Sequence, residues 1–160
     1  EYNARRLECE AAAAHFGVSA LRDVDAAMLA ANPPMEATVA ARARHVVAEN
    51  ARVLSAADAL AAHDLPALGE LLRASHASMR DDFAITHPKV DELADRLNAI
   101  IGPQGGARMT GGGFGGAVVA VMMACEATRV AAAIAQAYQT PDGTAPEILP
   151  VRPEGGAAII

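Results

Sequence analysis

Bulky and reactive side chains are scarce in this chain of 160 residues, which has no tryptophan, two tyrosines, three phenylalanines and two cysteines. Two cysteines are too few for a disulfide framework, so we expect a reducing compartment and a cytoplasmic protein. Positive charge is also in short supply. The formal net charge is −6, which argues against nucleic acid and anionic membranes as partners. The uncharged stretch 109–125 contains five glycines, which makes a membrane-spanning helix implausible.

Alanine, by contrast, is abundant, with forty residues. It raises the apolar fraction to 52% without adding side-chain bulk. The length is sufficient for a proper core, and we expect one domain that spans residues 1–160.

Glycine is concentrated in one place, with eight of the thirteen glycines between Gly102 and Gly116. Glycine buries no side chain, so such a concentration indicates left-handed backbone or close approach to another surface. Gly111, Gly113 and Gly116 match the G-x-G-x-x-G pattern of dinucleotide-binding loops, but that pattern requires a helix after it. The valine-rich apolar run 117–123 predicts a buried strand instead. We therefore expect a strand–glycine loop–strand unit and no NAD binding.

The first hundred residues predict helices with short connections. Between residues 36 and 62, apolar positions that include Val53, Leu54 and Leu60 follow the kind of helical stripe that faces a core. Asp64 is placed to cap the next helix, with Pro66 in its first turn. The expected helices span residues 3–16, a patch ending before Asn32, 36–62, the helix from Asp64 to about Phe83, and 88–101.

After Gly102 the pattern changes. Two strands flank the glycine loop, and a helix is expected at 126–138 with Ala137 inward. Residues 141–143 and 155–156 predict turns, and 148–151 a further strand. This order predicts an α+β fold, in which a helical N-terminal half is followed by a small antiparallel sheet with a glycine-rich loop.

Four polar residues are candidates for chemistry. Asp81 and Asp82 are of the type that binds Mg²⁺ or serves as acid and base. Adjacent helical residues point about 100° apart, however, which favours a solvated or capping pair at a helix end. His45 and His76 have no partner at metal-ligand spacing, so core or surface histidines are the simpler interpretation.

The cysteines and the basic clusters give weaker signals. Cys9 and Cys125 have no CxxC neighbour, and burial accounts for them best. Two small basic clusters are candidates either for salt bridges to another segment or for anion binding. They are Arg5-Arg6 and the pair Arg42 and Arg44. Taken alone, these residues supply no nucleophile, no base and no metal site.

Several stretches together resemble galactokinases, members of the GHMP family of small-molecule kinases. The stretch 108–116, Arg-Met-Thr-Gly-Gly-Gly-Phe-Gly-Gly, is similar to the third signature of that family. The stretch 75–83, Ser-His-Ala-Ser-Met-Arg-Asp-Asp-Phe, is similar to the segment that galactokinases carry before it. Residues 2–9, 21–24 and 42–47 also match in order and spacing. The glycine signature alone indicates the superfamily, and the stretches 2–9 and 75–83 narrow it to galactokinase or a close relative.

The resemblance implies a ferredoxin-like GHMP kinase C-terminal domain without the N-terminal domain that binds ATP and sugar. It implies galactose metabolism, with ATP-dependent and Mg²⁺-dependent phosphorylation of galactose at its 1-hydroxyl. The family's catalytic residues, galactose signature and phosphate-loop signature have no counterpart in residues 1–160. We therefore expect ATP and Mg²⁺ to be bound mainly by that N-terminal domain, and the chain alone to be inactive.

Two sets of site residues follow from the resemblance. Tyr2 matches the family tyrosine that hydrogen-bonds the sugar, and its phenol can both donate and accept. The glycine loop would support the phosphate loop by letting two backbones approach. Ala117 stands where relatives often have cysteine, a small apolar exchange from which we expect little effect. The loop-support residues are Thr110, Gly111, Gly112, Gly113, Phe114, Gly115 and Gly116.

Three alternatives accompany this interpretation. An N-acetylgalactosamine kinase shares these motifs, and so does a non-catalytic sugar sensor derived from such a kinase. An independent nucleotide-binding module is disfavoured, because no helix is expected after Gly116.

Overall fold

Six α-helices and one β-hairpin form the described residues, 1–31 and 34–152, of this computed structural model. The turn expected at Gly155-Gly156 lies outside the described residues, as do Asn32 and Pro33, before which the second helix was expected to end. The main elements are α1 (Tyr2–His15), α2 (Ala26–Ala31), α3 (Ala37–Ala61), α4 (Leu65–Asp81), α5 (Pro88–Ile101), β1 (Gly105–Thr110), β2 (Ala117–Met122) and α6 (Ala127–Ala137).

Side-chain caps set the starts of three helices. The Glu36 carboxylate accepts hydrogen bonds from two backbone N–H groups at the start of α3. Asp64 accepts from the Ala67 N–H at 2.9 Å, as expected from its position before Pro66. His87 caps α5 by accepting from the Lys89 N–H at 3.2 Å. Each cap satisfies a donor that has no partner within the helix, so local sequence is sufficient to place these boundaries.

The core has two main parts, with α4 between them. Alanine-rich surfaces of α1 and α3 pack together with the turn at Leu21–Asp23, and α4 packs on α3 on one side and on β1 on the other. The second part lies among α5, α6 and the hairpin. Its buried residues are Leu97, Ile101, Ala107, Val130, Ile134 and Tyr138.

The hairpin is antiparallel, with Thr110 opposite Ala117 and Gly105 opposite Met122. The expected strand–glycine loop–strand unit and the α+β class are therefore confirmed. The sheet of the described residues has two strands, because residues 148–151 form no strand, so that expectation was wrong.

Glycines bring α4 and β1 into direct backbone contact. A Cβ on Gly69 would stand 2.0 Å from the Gly105 carbonyl oxygen, and one on Gly106 would stand 2.4 Å from the Gly69 oxygen. No side chain fits at either position. Because residues 69 and 106 are both glycines, α4 approaches β1 more closely than a side chain at either position would allow.

Four expectations about burial were wrong. Val53, Leu54 and Leu60 of α3 are 66%, 71% and 59% exposed, because the described elements cover a different face of this part of the helix, where Ala59 is buried. The strand β2, expected to be buried, has two exposed residues, Ala117 and Val119, and is half-buried elsewhere, because α4 and α5 pack mainly on β1. Cys125 is exposed and Ala137 faces solvent; only Cys9 is half-buried.

Within residues 1–31 and 34–152, no helix combines the length and apolar character needed to cross a membrane.

Candidate functional site

The glycine loop, residues 111–116, rests on the linker between α4 and α5, residues 82–86. The Phe114 N–H donates to the Ile85 carbonyl oxygen at 2.5 Å. A Cβ on Gly113 would stand 2.9 Å from both the Cβ and the carbonyl oxygen of Ile85, and Gly113 has φ +88°. Gly113 therefore meets both requirements that select glycine, a left-handed backbone and a close approach.

Other glycines of the loop face open space. Gly111, Gly112 and Gly115 have no neighbouring atom within 4 Å of the position that a Cβ would take. Thr110, where the loop begins, is exposed. One part of the loop is thus anchored on the linker, while these three glycines leave bare backbone for a further surface to approach.

Side chains bind the edge of β1 that faces away from β2. The Asn98 side chain pairs with Ala107 in both directions, donating to its C=O at 3.1 Å and accepting from its N–H at 2.8 Å. At Met109, the N–H donates to His76 Nδ1 at 3.1 Å and the C=O accepts from Arg108 Nε at 3.1 Å. These bonds hold β1 up to the residue before Thr110, so they fix the direction in which the chain enters the glycine loop.

A charged cluster behind β1 joins three elements. The Ser75 hydroxyl donates to Glu49 Oε2 at 2.7 Å and accepts from Arg108 at 2.6 Å, while Arg52 also pairs with Glu49. Burial by itself raises the pKa of Glu49, but the Ser75 hydroxyl and the Arg52 guanidinium outweigh it, so the pKa lies below its usual value. Sequence reasoning missed Glu49. The only signal was a carboxylate within the apolar stripe of α3.

His76 is a buried core histidine, as expected. Its Nδ1 accepts from Met109, so the neutral ring carries its proton on Nε2. Nε2 lies 3.3 Å from Asp91 Oδ1, but the alignment leaves both atoms without a hydrogen bond. Burial lowers the pKa of His76, although Asp91 and Asp95 oppose that shift.

His45 is the second buried histidine. Its Nδ1 lies 3.0 Å from Ser78 Oγ, and its ring stacks on Phe83 with centroids 4.3 Å apart. Burial lowers its pKa despite the opposing charge of Glu49. Both histidines are therefore buried side chains whose Nδ1 atoms already have partners within the core.

Because the pKa values of both histidines are lowered in the fold, we predict that the free energy of unfolding decreases as the pH falls through about 6.5. The unfolded chain takes up protons near pH 6.5, whereas the lowered pKa values of His45 and His76 delay protonation in the fold. Stability is complete above the unfolded pKa and falls below it, by at most about 1.4 kcal/mol per pH unit for each histidine. The pKa values of Glu8 and Glu49 are lowered, so protonation of these carboxylates affects stability only at more acidic pH.

Urea unfolding at pH 7.5 and 5.5 measures this effect. His76→Asn keeps an acceptor near Nδ1 and should reduce the difference between the two pH values. An unfolding free energy that is the same at both pH values would contradict the prediction.

The paired carboxylates point to different partners. Asp81 is exposed and pairs with Arg80 at 2.8 Å. Asp82, the C-cap residue of α4, pairs with Arg44 at 3.1 Å. This confirms the interpretation as a solvated and capping pair. Among the described residues there is also no group of three or more His, Cys, Asp or Glu side chains that could hold a metal ion.

Arg42 and Arg44 of α3 form salt bridges with other segments. Arg42 is buried and pairs with Glu8 of α1 at 2.6 Å, and it also donates to the Asp82 carbonyl oxygen. Two uses were considered for Arg42 and Arg44, an ionic tie to another segment and anion binding. These contacts and the Arg44–Asp82 pair favour the ionic tie, which connects α1, α3 and the end of α4.

Tyr2 is the first residue of α1 and is 70% exposed. Arg5 follows it by three positions, so both lie on one face of the helix. Arg5 in turn lies near the glycine loop, with its guanidinium carbon 5.9 Å from the centroid of the Phe114 ring. The two sets of expected site residues are thus connected through one short stretch of α1.

Comparison with known proteins places the fold in a family. Residues 56–140 match the family model described as GHMP kinases C terminal, and the chain belongs to the GHMP kinase family. Among solved structures it is similar to galactokinase from Lactococcus lactis complexed with galactose, with a TM-score of 0.78 and 35% sequence identity. The match covers 86% of this chain and 37% of that protein. The sequence-based recognition of a galactokinase-like GHMP kinase C-terminal domain is confirmed.

Proposed function

We propose that this chain is the C-terminal part of a galactokinase, which transfers the γ-phosphate of ATP to the 1-hydroxyl of galactose in the cytoplasm. The observation that carries the proposal is 35% identity across 86% of the chain to a galactokinase whose structure contains galactose. Identity at this level extends beyond the residues of the glycine signature.

The residues of this chain support substrate positioning rather than chemistry. The Tyr2 hydroxyl is exposed and free to hydrogen-bond a sugar hydroxyl. Thr110 to Gly116 would form the wall against which the phosphate loop of the N-terminal domain packs, with Gly111, Gly112 and Gly115 presenting bare backbone to it.

ATP and Mg²⁺ are assigned mainly to the N-terminal domain. The described residues contain no group of three or more His, Cys, Asp or Glu side chains that could hold a metal ion. The assignment to the N-terminal domain rests on the family resemblance. In phosphoryl transfer, the metal neutralises phosphate charge while the protein holds nucleophile and phosphate in line. The contribution of this domain is to hold the sugar and the active-site wall in place.

Assays of ATP-dependent sugar phosphorylation test the proposal. The full-length protein should convert galactose to galactose 1-phosphate, and residues 1–160 alone should show only background. Turnover by the chain alone would contradict the assignment of the catalytic groups to the N-terminal domain. Turnover of N-acetylgalactosamine in preference to galactose, or of neither sugar, would replace galactokinase by one of the two alternatives.

Replacing Tyr2 by phenylalanine in the full-length enzyme should raise the KM for galactose. Only the hydroxyl is lost, and one hydrogen bond to a neutral group contributes about 0.5–1.5 kcal/mol, so we expect about a 2- to 13-fold increase. The KM for ATP should be unchanged.

Saturation curves for both substrates measure this prediction. Tyr138→Phe is the matched control, because the Tyr138 hydroxyl donates to the Lys89 carbonyl oxygen within the fold. The control should lower stability without changing the KM for galactose. A Tyr2→Phe enzyme with unaltered galactose kinetics would show that Tyr2 does not bind the sugar.

A further inference from the structure

Arg5 reaches beyond its own helix, whereas its neighbour Arg6 does not. The Arg5 guanidinium donates to the Ala84 carbonyl oxygen at 2.9 Å, across 79 residues of sequence, and pairs with Glu8 at 3.2 Å. The side chain of Arg6 is 63% exposed and pairs with Glu10, one turn along the same helix, at 3.7 Å. Two adjacent arginines therefore have different surroundings, and of the two Arg5 is the one that links α1 to a distant segment.

The segment that Arg5 contacts is the same linker that anchors the glycine loop. Two successive carbonyl groups of the linker are used: Ala84 accepts from Arg5, and Ile85 accepts from the Phe114 N–H. The guanidinium also lies 5.9 Å from the Phe114 ring centroid, within the range of a cation–π contact. Arg5 thus contacts both the linker and the loop that rests on it.

Two unusual backbone conformations meet at this point. Ala84 has φ +53° and Phe114 has φ +61°, and neither is glycine. Such conformations are strained for residues other than glycine and persist only where surrounding contacts impose them. Arg5 supplies a contact to each of the two residues.

A second arginine, Arg42, binds the linker at Asp82, where the linker begins. Glu8 holds both Arg5 and Arg42, and Arg42 donates to the Asp82 carbonyl oxygen. Two arginines joined by one carboxylate therefore bind the linker at residues 82 and 84. A lysine at position 5 would not reproduce this geometry, because two different nitrogens of the guanidinium donate to Glu8 and Ala84 while its central carbon lies near the Phe114 ring.

We propose that Arg5 is a positioning residue, which couples the helix that carries Tyr2 to the glycine loop through the α4–α5 linker. This deepens the proposed function and rests on it: sugar placement and the conformation of the active-site wall would be set together. Arg5 acts through Ala84 and Phe114.

The test compares Arg5→Gln, Arg5→Lys and the control Arg6→Gln in the full-length protein. Hydrogen exchange of the peptide containing residues 110–116 should be about 5-fold faster or more in Arg5→Gln, because the Phe114–Ile85 hydrogen bond opens more often. Arg6→Gln should exchange like the wild type. Arg5→Lys should be intermediate, since it keeps the charge but not the forked geometry.

Kinetics on the same proteins add a readout that depends on the reaction. Arg5→Gln should lower kcat and raise the KM for galactose, whereas Arg6→Gln should change neither. In a double-mutant cycle on kcat/KM, Arg5→Gln and Phe114→Leu should be non-additive by about 2-fold or more, as expected for residues in contact.

Each outcome bears on the proposal. Wild-type exchange of the loop in Arg5→Gln overturns the coupling, as does additivity in the cycle. Faster exchange throughout the protein, with a similar fall in thermal stability, also overturns it by showing a general structural role. If the wild-type protein phosphorylates no galactose, the proposed function fails while loop exchange still decides whether Arg5 positions the loop.

Discussion

Gly113→Val is expected to reduce the kcat of the full-length enzyme by about 100-fold or more, because small displacements of positioning groups have effects of that size. A valine Cβ would lie 2.9 Å from the Ile85 Cβ and carbonyl oxygen, and φ is +88° at this position. The loop would have to leave the linker, which also removes the Phe114–Ile85 hydrogen bond. Folding of the domain should be affected less, since the loop lies outside the main parts of the core.

Gly143→Val provides the control for Gly113→Val. Gly143 has a similar φ of +80° but no neighbouring atom within 4 Å, and it lies in the turn after α6. It therefore carries the same backbone strain without the clash at the linker. Turnover of Gly113→Val close to that of Gly143→Val would mean that the loop is an ordinary connection between two strands.

Gly69→Ala is expected to destabilise the protein by about 3 kcal/mol or more, at the upper end of what overpacking costs. Helix propensity alone predicts the opposite, a gain of about 1 kcal/mol from glycine to alanine inside a helix. Packing decides the sign, because the new Cβ would stand 2.0 Å from the Gly105 carbonyl oxygen, which cannot move without the strand. Separation of α4 from β1 would also stretch the Ser75–Arg108 contact.

Thermal unfolding measures the effect of Gly69→Ala. For a domain of this size, 3 kcal/mol corresponds to a fall in Tm of about 6–12 °C. Gly112→Ala is the control, since Gly112 has open space and no left-handed φ. A Tm of Gly69→Ala at or above that of the wild type would show that α4 and β1 can separate at little cost.

Local signals explain why most helix boundaries could be predicted. Asp64 and His87 are capping residues whose bonds reach two or three positions along the chain, so the sequence contains the whole interaction. Burial was harder to predict. The stripe of α3 indicates which residues share a face, but whether Leu54 is covered depends on which face of the helix the neighbouring elements cover.

The candidate site was predictable only in part. Gly113 stood out because glycine concentration is visible in sequence, and Tyr2 because of a family resemblance. The Glu49–Ser75–Arg108 cluster joins residues that are 26 and 33 positions apart in the sequence. No local sequence pattern predicts contacts over such distances. The role of Arg5 likewise depends on a contact across 79 residues.

The side-chain bonds along β1 also bear on how the sheet can associate with other chains. Unpaired backbone groups at a sheet edge are templates for edge-to-edge aggregation. The backbone N–H and C=O groups of Ala107 and Met109 already form hydrogen bonds with the side chains of Asn98, His76 and Arg108. A strand of another chain therefore cannot pair with β1 at these residues. Within the described residues, aggregation through strand pairing can therefore begin only at the outer edge of β2.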